Sequence, residues 1–316
     1  MNLTDRLVNT NPDPGPEDLL ASSLAVIFPD TVANQHGDAA NALLYASPHL
    51  PRQLRIDLAD PPREEDRLLF GHYLWNASLL AGEFVEKGSL GGDAPVSREG
   101  EKREDRGTGV GGTEDETGEM RKLGPPDSTF DVRGKSVIEL GAGTALPSTM
   151  AALLGAAEVV VTDYPSPCLL STLRTNVARN ISKENSPSGY IPPKVEVMGH
   201  SWGHFEGLEE KKEAFDVVIA ADCLWMPWQH QNLLSSTSHF LKRAPSSRAW
   251  VIAGFHTGRR KMRGFFDPSF LRSAGLEAEY LYEVDCTGVE REWVWEREGE
   301  DARRWCAVGI LKWIDP

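Results

Sequence analysis

Between Phe130 and Trp313 the chain alternates short apolar runs with amphipathic stretches, and this alternation restricts the fold more than any other feature. Lys135–Leu140 (KSVIEL), Glu158–Thr162 (EVVVT), Lys194–Met198 (KVEVM), Phe215–Ala221 (FDVVIAA) and Arg248–Gly254 (RAWVIAG) read as strands buried on both faces. Helical spacing fills Thr144–Leu154, Pro167 to about Asn180, and Gln229–Lys242; Pro147 is tolerable in a first turn, and Ser166 stands where it can cap. This repetition predicts an α/β fold, a parallel sheet with helices on both faces. A short helix over Asp267–Ala274 precedes two more strand patterns, Glu277–Val284 and Arg304–Lys312. No long helix separates those two, so they are expected as an antiparallel pair at one edge of the sheet.

The rest of the chain reads differently. Residues 1–62 are expected as a partly ordered extension: a loose arm with Pro12, Pro14 and Pro16, then short helical patterns at Leu19, Leu20, Leu24, Ile27 and Phe28 and at Ala39, Leu43 and Leu44. Arg63–Lys87 opens with acidic residues and carries an apolar stripe including Leu68, Leu69, Tyr73, Leu74, Leu79, Leu80, Phe84 and Val85, which predicts one helix weakened at Gly71. Residues 88–129 hold ten glycines, ten acidic and six basic residues, and no aromatic one. Such a stretch buries too little apolar surface to offset chain entropy and reads as a disordered acidic insertion, more a spacer than a binding element. It divides a domain expected over residues 63–316.

At 316 residues with 40% hydrophobic residues the chain is an ordinary globular length and composition. Its net charge of −14 disfavours a nucleic-acid partner and suits a basic or neutral one. Cys168, Cys223, Cys286 and Cys306 form no CxxC pair and read as reduced thiols of a cytosolic protein. The first twenty residues lack a signal-peptide pattern, and no run reaches about 18 uncharged apolar residues, so neither export nor a membrane span is expected.

In open α/β sheets ligands bind beyond the carboxyl ends of the strands. The first such end is Glu139-Leu-Gly141-Ala-Gly143-Thr-Ala-Leu-Pro147, in which two glycines permit a tight turn and close approach of a ligand. The next strand ends at Asp163, twenty residues past Gly143, where a carboxylate can accept both hydroxyls of a ribose. A dinucleotide site wants a third glycine where Leu146 stands, and a phosphate-binding loop wants Gly-Lys-Ser/Thr, which is absent. A nucleoside bearing methionine needs no phosphate cradle.

VIELGAGTALPS followed by VVVTDYPSP resembles the S-adenosylmethionine site of seven-strand methyltransferases. With Gly71-His-Tyr-Leu-Trp-Asn-Ala77, Ser201-Trp-Gly203 and Ala221-Asp-Cys-Leu-Trp225, the set resembles the family 16 methyltransferases, in particular the fungal nicotinamide N-methyltransferase-like branch with its protein N-terminal and lysine methyltransferases. The resemblance runs from about residue 63 to 313, apart from the insertion. It implies a Rossmann-like seven-strand sheet, S-adenosylmethionine as cofactor, and Gly141, Ala142 and Gly143 at the methionine end. It further implies Glu139 among the cofactor residues, Asp163 on the ribose, Trp202 beside the adenine, Ala221 against the cofactor and Trp75 closing over it. Ala145 departs from the third glycine of many relatives, so its methyl group is expected to narrow the pocket near the methionine moiety.

The implied reaction is N-methylation of a protein amine, lysine or N-terminal, with translation elongation factor one-alpha the leading analogue; a small-molecule amine such as nicotinamide and a non-catalytic binding module are the alternatives. An amine must be neutral to attack, and free lysine has a pKa of about 10.4. Asp222 is the candidate proton acceptor, and Trp225, Trp228 and Tyr73 are the candidate aromatic walls, because they stand by the fourth strand end or just before the core. His200 and His204 lack a third ligand, so no metal is expected. The basic run Arg259, Arg260, Lys261 and Arg263 reads as a solvated loop, and Trp293 and Trp295 fit a substrate lip or an edge ribbon. The protein is expected to act as a monomer.

Overall fold

The computed structural model describes residues 3–9, 34–37, 40–90, 122–187, 191–297 and 304–316. Its centre is an eight-stranded sheet: β1 (Ser136–Leu140), β2 (Glu158–Asp163), β3 (Val195–Gly199), β4 (Val217–Ala221), β5 (Arg248–Gly254), β6 (Leu276–Asp285), β7 (Glu290–Glu292) and β8 (Trp305–Trp313). The strand order is β7-β6-β8-β5-β4-β1-β2-β3. β1 to β5 are mutually parallel, and β8 runs antiparallel between β5 and β6. The expected seven strands and reversed edge pair are present, with β7 added as a short antiparallel ribbon on β6. Residues 188–190 and 298–303 lie outside the described residues.

The central parallel strands form because each is an apolar run with both faces covered, and β4 is buried at every position; β3, at the sheet edge, is only partly buried, with Glu196 exposed, and so departs from the expected burial on both faces. α1 (Asn76–Leu90), α2 (Leu146–Leu153), α3 (Pro167–Asn180) and α4 (His230–Phe240) supply the covering layers. Two apolar clusters result, one containing Leu146, Met150, Val161 and Trp250, the other containing Ile138, Val218, Leu233 and Phe265. No helix among the described residues is long and apolar enough to cross a membrane.

Three local expectations are corrected. Arg63–Lys87 is not one helix: Glu64–Arg67 forms a turn of helix, Phe70 takes a φ of 52°, Leu74–Trp75 is a strand, and α1 begins at Asn76. Leu74 and Trp75 extend because they pair antiparallel with His36 and Gln35, partners 38 and 40 residues away in sequence. Leu43 and Leu44 are strand, not helix, the middle of an antiparallel sheet ordered Leu7–Asn9, Leu43–Tyr45, Leu54–Ile56. The Ser166 hydroxyl does not cap α3 but donates to Asp66 Oδ2 at 2.8 Å, tying the Glu64–Arg67 turn to the helix.

The extension is held to the domain by side chains. Asn176 and Asn180, one turn apart on α3, each exchange two hydrogen bonds with the backbone of Asp57 and Arg55, at 2.7–3.0 Å. Buried Arg6 donates to Glu86 Oε2 at 2.6 Å and to the Tyr45 hydroxyl at 2.9 Å, while Ser47 Oγ donates to the other oxygen of Glu86. The 17–33 part of the expected helical pattern lies outside the described residues.

Of the acidic glycine-rich stretch, residues 91–121 also lie outside the described residues. Residues 88–90 finish α1, and 122–129 are placed: the Leu123 and Gly124 amides donate to Glu290 at 2.6 and 2.9 Å. A Cβ on Gly88 would fall 2.3 Å from the carbonyl carbon of Phe130, so only glycine lets the returning backbone pass the end of α1.

Candidate active site

The carboxyl ends of the central strands are in register. Leu140 pairs with Thr162 on one side and Ala220 on the other, which brings Gly141, Asp163 and Ala221 to one level. The strand order reverses at β1, so the crevice opens there. A cavity of about 340 Å³ occupies it, and Tyr73, Trp75, Gly141, Ala142, Gly143, Asp163, Trp202, Ala221, Asp222 and Trp225 all border it. Ten of the twelve residues assigned to the site from sequence therefore meet in one space.

The glycine turn after β1 is conformationally required. Gly141 and Gly143 have φ of 64° and 54°, and a Cβ on Gly141 would lie 2.9 Å from Cys223 Sγ and 3.0 Å from the Trp202 ring. The turn presents the Gly143 N–H to Asp163 Oδ2 at 2.7 Å, while the Tyr164 N–H takes Oδ1 at 2.6 Å. Burial pushes the Asp163 carboxyl up to about 6, and these two amides act in the opposite direction.

Glu139 departs from its expected place. It lies beneath the turn, outside the cavity wall, because Ser148 of α2 draws Oε2 downward through both its amide and its hydroxyl. Its Oε1 is buried without a hydrogen-bond partner, and burial pushes the carboxyl up to about 8. Ala145 is corrected as well: it borders no part of the cavity, so its methyl group does not narrow it. It precedes α2 with a φ of 60°, a left-handed conformation that glycine adopts more readily than alanine.

On the other side of the crevice Asp222 follows β4 with a φ of 61°, an uncommon conformation for a residue with a side chain. Its Oδ1 accepts the Gly254 amide at 3.2 Å and pairs with His256 Nε2 at 3.0 Å. The His256 ring stacks on Trp75, centroids 4.6 Å apart and planes 22° from parallel. Burial alone lowers the His256 pKa, but the Asp222 charge and hydrogen bond outweigh it and hold the pKa above the ordinary imidazole value. Trp225 meets the Phe70 ring edge-on at 5.3 Å. Trp228 does not reach the cavity: it is 72% exposed, edge-on to Trp225 at 6.4 Å.

His256 was not singled out from sequence, although the same strand-end rule that found Asp163 and Asp222 points to the residues just after β5. Gly71, Ser201, Gln229 and Asn232 also border the cavity. His200 and His204 lie in its wall; His200 Nε2 pairs with Ser236 Oγ at 2.9 Å, and burial pushes its imidazole down to about 4. The basic run is not simply solvated. Arg259 is buried against Glu283 at 2.6 Å, with its guanidinium over Phe255 and Trp293, and Arg263 pairs with Glu296. Trp293 follows the edge ribbon and packs against Phe255 and Phe266, away from the cavity wall.

The cavity wall contains two carboxylates and several aromatic rings but neither lysine nor arginine. That donor set fits a cationic nucleoside and not a phosphorylated one. A Rossmann-like sheet with β8 reversed between β5 and β6, and this site at its switch point, define the methyltransferase class. The chain belongs to the lysine methyltransferase family, whose model matches residues 63–268, more than half of its length.

It is 37% identical over 166 residues to the protein N-terminal and lysine N-methyltransferase EFM7 of Gibberella zeae, covering 48% of this chain and 60% of the relative. The Eremothecium gossypii protein of the same name is 36% identical over 160 residues, 48% of this chain and 58% of that one. The Schizosaccharomyces pombe protein is 25% identical over 255 residues, 78% of each chain. The first two matches thus span about 60% of the relatives' lengths.

Proposed function

We propose that this protein is an S-adenosylmethionine-dependent N-methyltransferase acting on a protein amine, lysine or N-terminal. The observation that carries the reading is one continuous cavity with Asp163 and the glycine turn on its β1–β2 side, Asp222 and Trp225 on its β4 side, and neither lysine nor arginine in its wall. The relatives' printed names supply the acceptor class.

When bound, S-adenosylmethionine supplies an electrophilic methyl group on a sulfonium. Asp163 would accept the ribose hydroxyls, Gly141 to Gly143 would face the methionine end with backbone, and Trp202, Ala221 and Trp75 would enclose the remainder. Glu139 Oε1, buried and unpartnered, offers an acceptor beneath the turn. Tyr73 and Trp225 desolvate the entering amine, which favours its neutral form. Asp222 would orient the amine and take its proton as the methyl group passes from sulfur to nitrogen, the S–C bond breaking and S-adenosylhomocysteine leaving as the neutral thioether. Alignment of the two reactants is the main contribution of the chain, worth about 7–11 kcal/mol in well-oriented systems.

The acidic chain and the uncharged-to-acidic cavity wall support a protein acceptor over nucleic acid. The four free cysteines, three of them buried, support a cytoplasmic setting. We extend the reading to a monomer and to elongation factor one-alpha as acceptor; sedimentation and the identity of the labelled band test these. The central experiment incubates the protein with methyl-labelled S-adenosylmethionine and cytosolic extract. Label in protein bands is expected. Label confined to small molecules makes the acceptor a metabolite, binding without transfer makes the chain a binding module, and no binding by calorimetry overturns the reading.

A further inference from the structure

Asp222 and Trp75 both border the cavity and belong to segments almost 150 residues apart, yet one imidazole touches both. The edge of His256 meets Asp222 Oδ1 at 3.0 Å and its face lies on the Trp75 indole at 4.6 Å. Neither contact is incidental to the backbone around it. Asp222 sits at a φ of 61°, a strained position that persists when its surroundings fix it. The Gly254 amide and His256 both bind Oδ1, so Oδ2 carries neither bond and the carboxylate plane is set. Trp75 is held by its own Nε1–H, donated to the Phe70 carbonyl at 3.1 Å, and by strand pairing to Gln35. Phe70 and Tyr73 meet its ring edge-on at 6.5 and 6.1 Å, and His256 supplies the stacked contact on its face. His256 itself is outside the cavity wall.

We propose that His256 is a positioning residue that couples the two halves of the site: its Nε2 edge aims the Asp222 carboxylate at the acceptor, and its ring face supports Trp75 over the cofactor. The proposal rests on the methyltransferase reading for the roles of the two walls, but its two contacts are separable by chemistry. Glutamine places an N–H donor where His Nε2 stands and has no ring. Phenylalanine keeps a ring face and has no donor.

The test compares His256→Gln and His256→Phe with the wild type in two measurements. One is calorimetric affinity for S-adenosylhomocysteine, which requires no turnover. The other is the initial rate of label transfer into extract protein at saturating S-adenosylmethionine. His256→Phe is expected to bind S-adenosylhomocysteine within about twofold of wild type and to lose about tenfold or more in rate, because only the Asp222 contact is gone. His256→Gln is expected to keep the rate within about threefold and to bind S-adenosylhomocysteine about fivefold more weakly, because only the aromatic support is gone. Losses of equal size in both readouts for both variants, with lower melting temperatures, make His256 a packing residue and overturn the proposal; so does wild-type behaviour in both. If the wild type binds S-adenosylhomocysteine but labels nothing, the proposed function fails by itself. The affinity split between the two variants then still decides the Trp75 half: present, it stands; absent, it falls.

Discussion

The Gly143 amide donates to Asp163 Oδ2 at 2.7 Å, so the turn that ends one strand orients the carboxylate that ends the next. Parallel register makes this possible, since Leu140 and Thr162 are paired and the residues beyond them emerge side by side. The carboxylate reaches the cavity already fixed, which reduces the ordering cost of binding.

Asp163→Ala is expected to weaken S-adenosylmethionine affinity about tenfold to a hundredfold, the equivalent of a charge-assisted hydrogen bond of about 1.5–3 kcal/mol. Isothermal calorimetry checks it. An affinity within twofold of wild type removes Asp163 from the cofactor's partners.

Affinity and stability should respond to pH in opposite directions. Burial holds Asp163 near 6 and Glu139 near 8, both above their unfolded values. Raised carboxyl pKa values mean the fold prefers the neutral forms. Their stabilising contribution is present below the unfolded values and is lost as pH rises through about 6 for Asp163 and about 8 for Glu139. The ribose, by contrast, needs ionised Asp163, so cofactor affinity should fall as pH drops through about 6. Asp163→Asn should abolish that fall in a calorimetric pH series. Glu139→Gln should lessen the decline of melting temperature between pH 5 and 9, within the range of the cited shift.

Asp222→Asn should leave S-adenosylmethionine affinity within about threefold while lowering turnover, because the amide cannot take a proton from the acceptor. Rate and affinity measured on the same preparation decide it. Full activity in this variant means that alignment and desolvation suffice, and a matching loss of affinity assigns Asp222 to the cofactor or the fold.

Arg6 and Glu86 should prove to be the fastening of the N-terminal extension. Arg6→Ala leaves the Glu86 carboxylate buried without its cation and should cost about 3–5 kcal/mol in urea denaturation. The double change Arg6→Met, Glu86→Leu should cost far less, since no uncompensated charge remains. A small loss in Arg6→Ala means the extension is not held there.

The positions of β1 to β6 and β8 were legible within about two residues because each is a local apolar run: β5 was read as Arg248–Gly254 and stands at those bounds. The cofactor side of the site followed from the same signal, since strand ends and their glycines are written in consecutive residues. The acceptor side was only partly legible. Asp222 and Trp225 follow β4 directly, whereas Trp228, three residues further on, turns to solvent.

By itself the sequence determined the sheet, its reversed strand and the edge where chemistry collects, because burial on both faces imposes an unbroken apolar run on each parallel strand. Only the tertiary structure decided which side chains at that edge face the cavity. Gln35 and His36 pull Leu74 and Trp75 out of a helical pattern, Asp66 takes the hydroxyl expected to cap α3, and Ser148 draws Glu139 beneath the turn. His256 reaches Asp222 across 34 residues and Trp75 across a far longer span. Each of these is a pairing between residues distant in the chain, where a polar group or a ring finds its partner only after the layers have packed, and no local pattern records the choice.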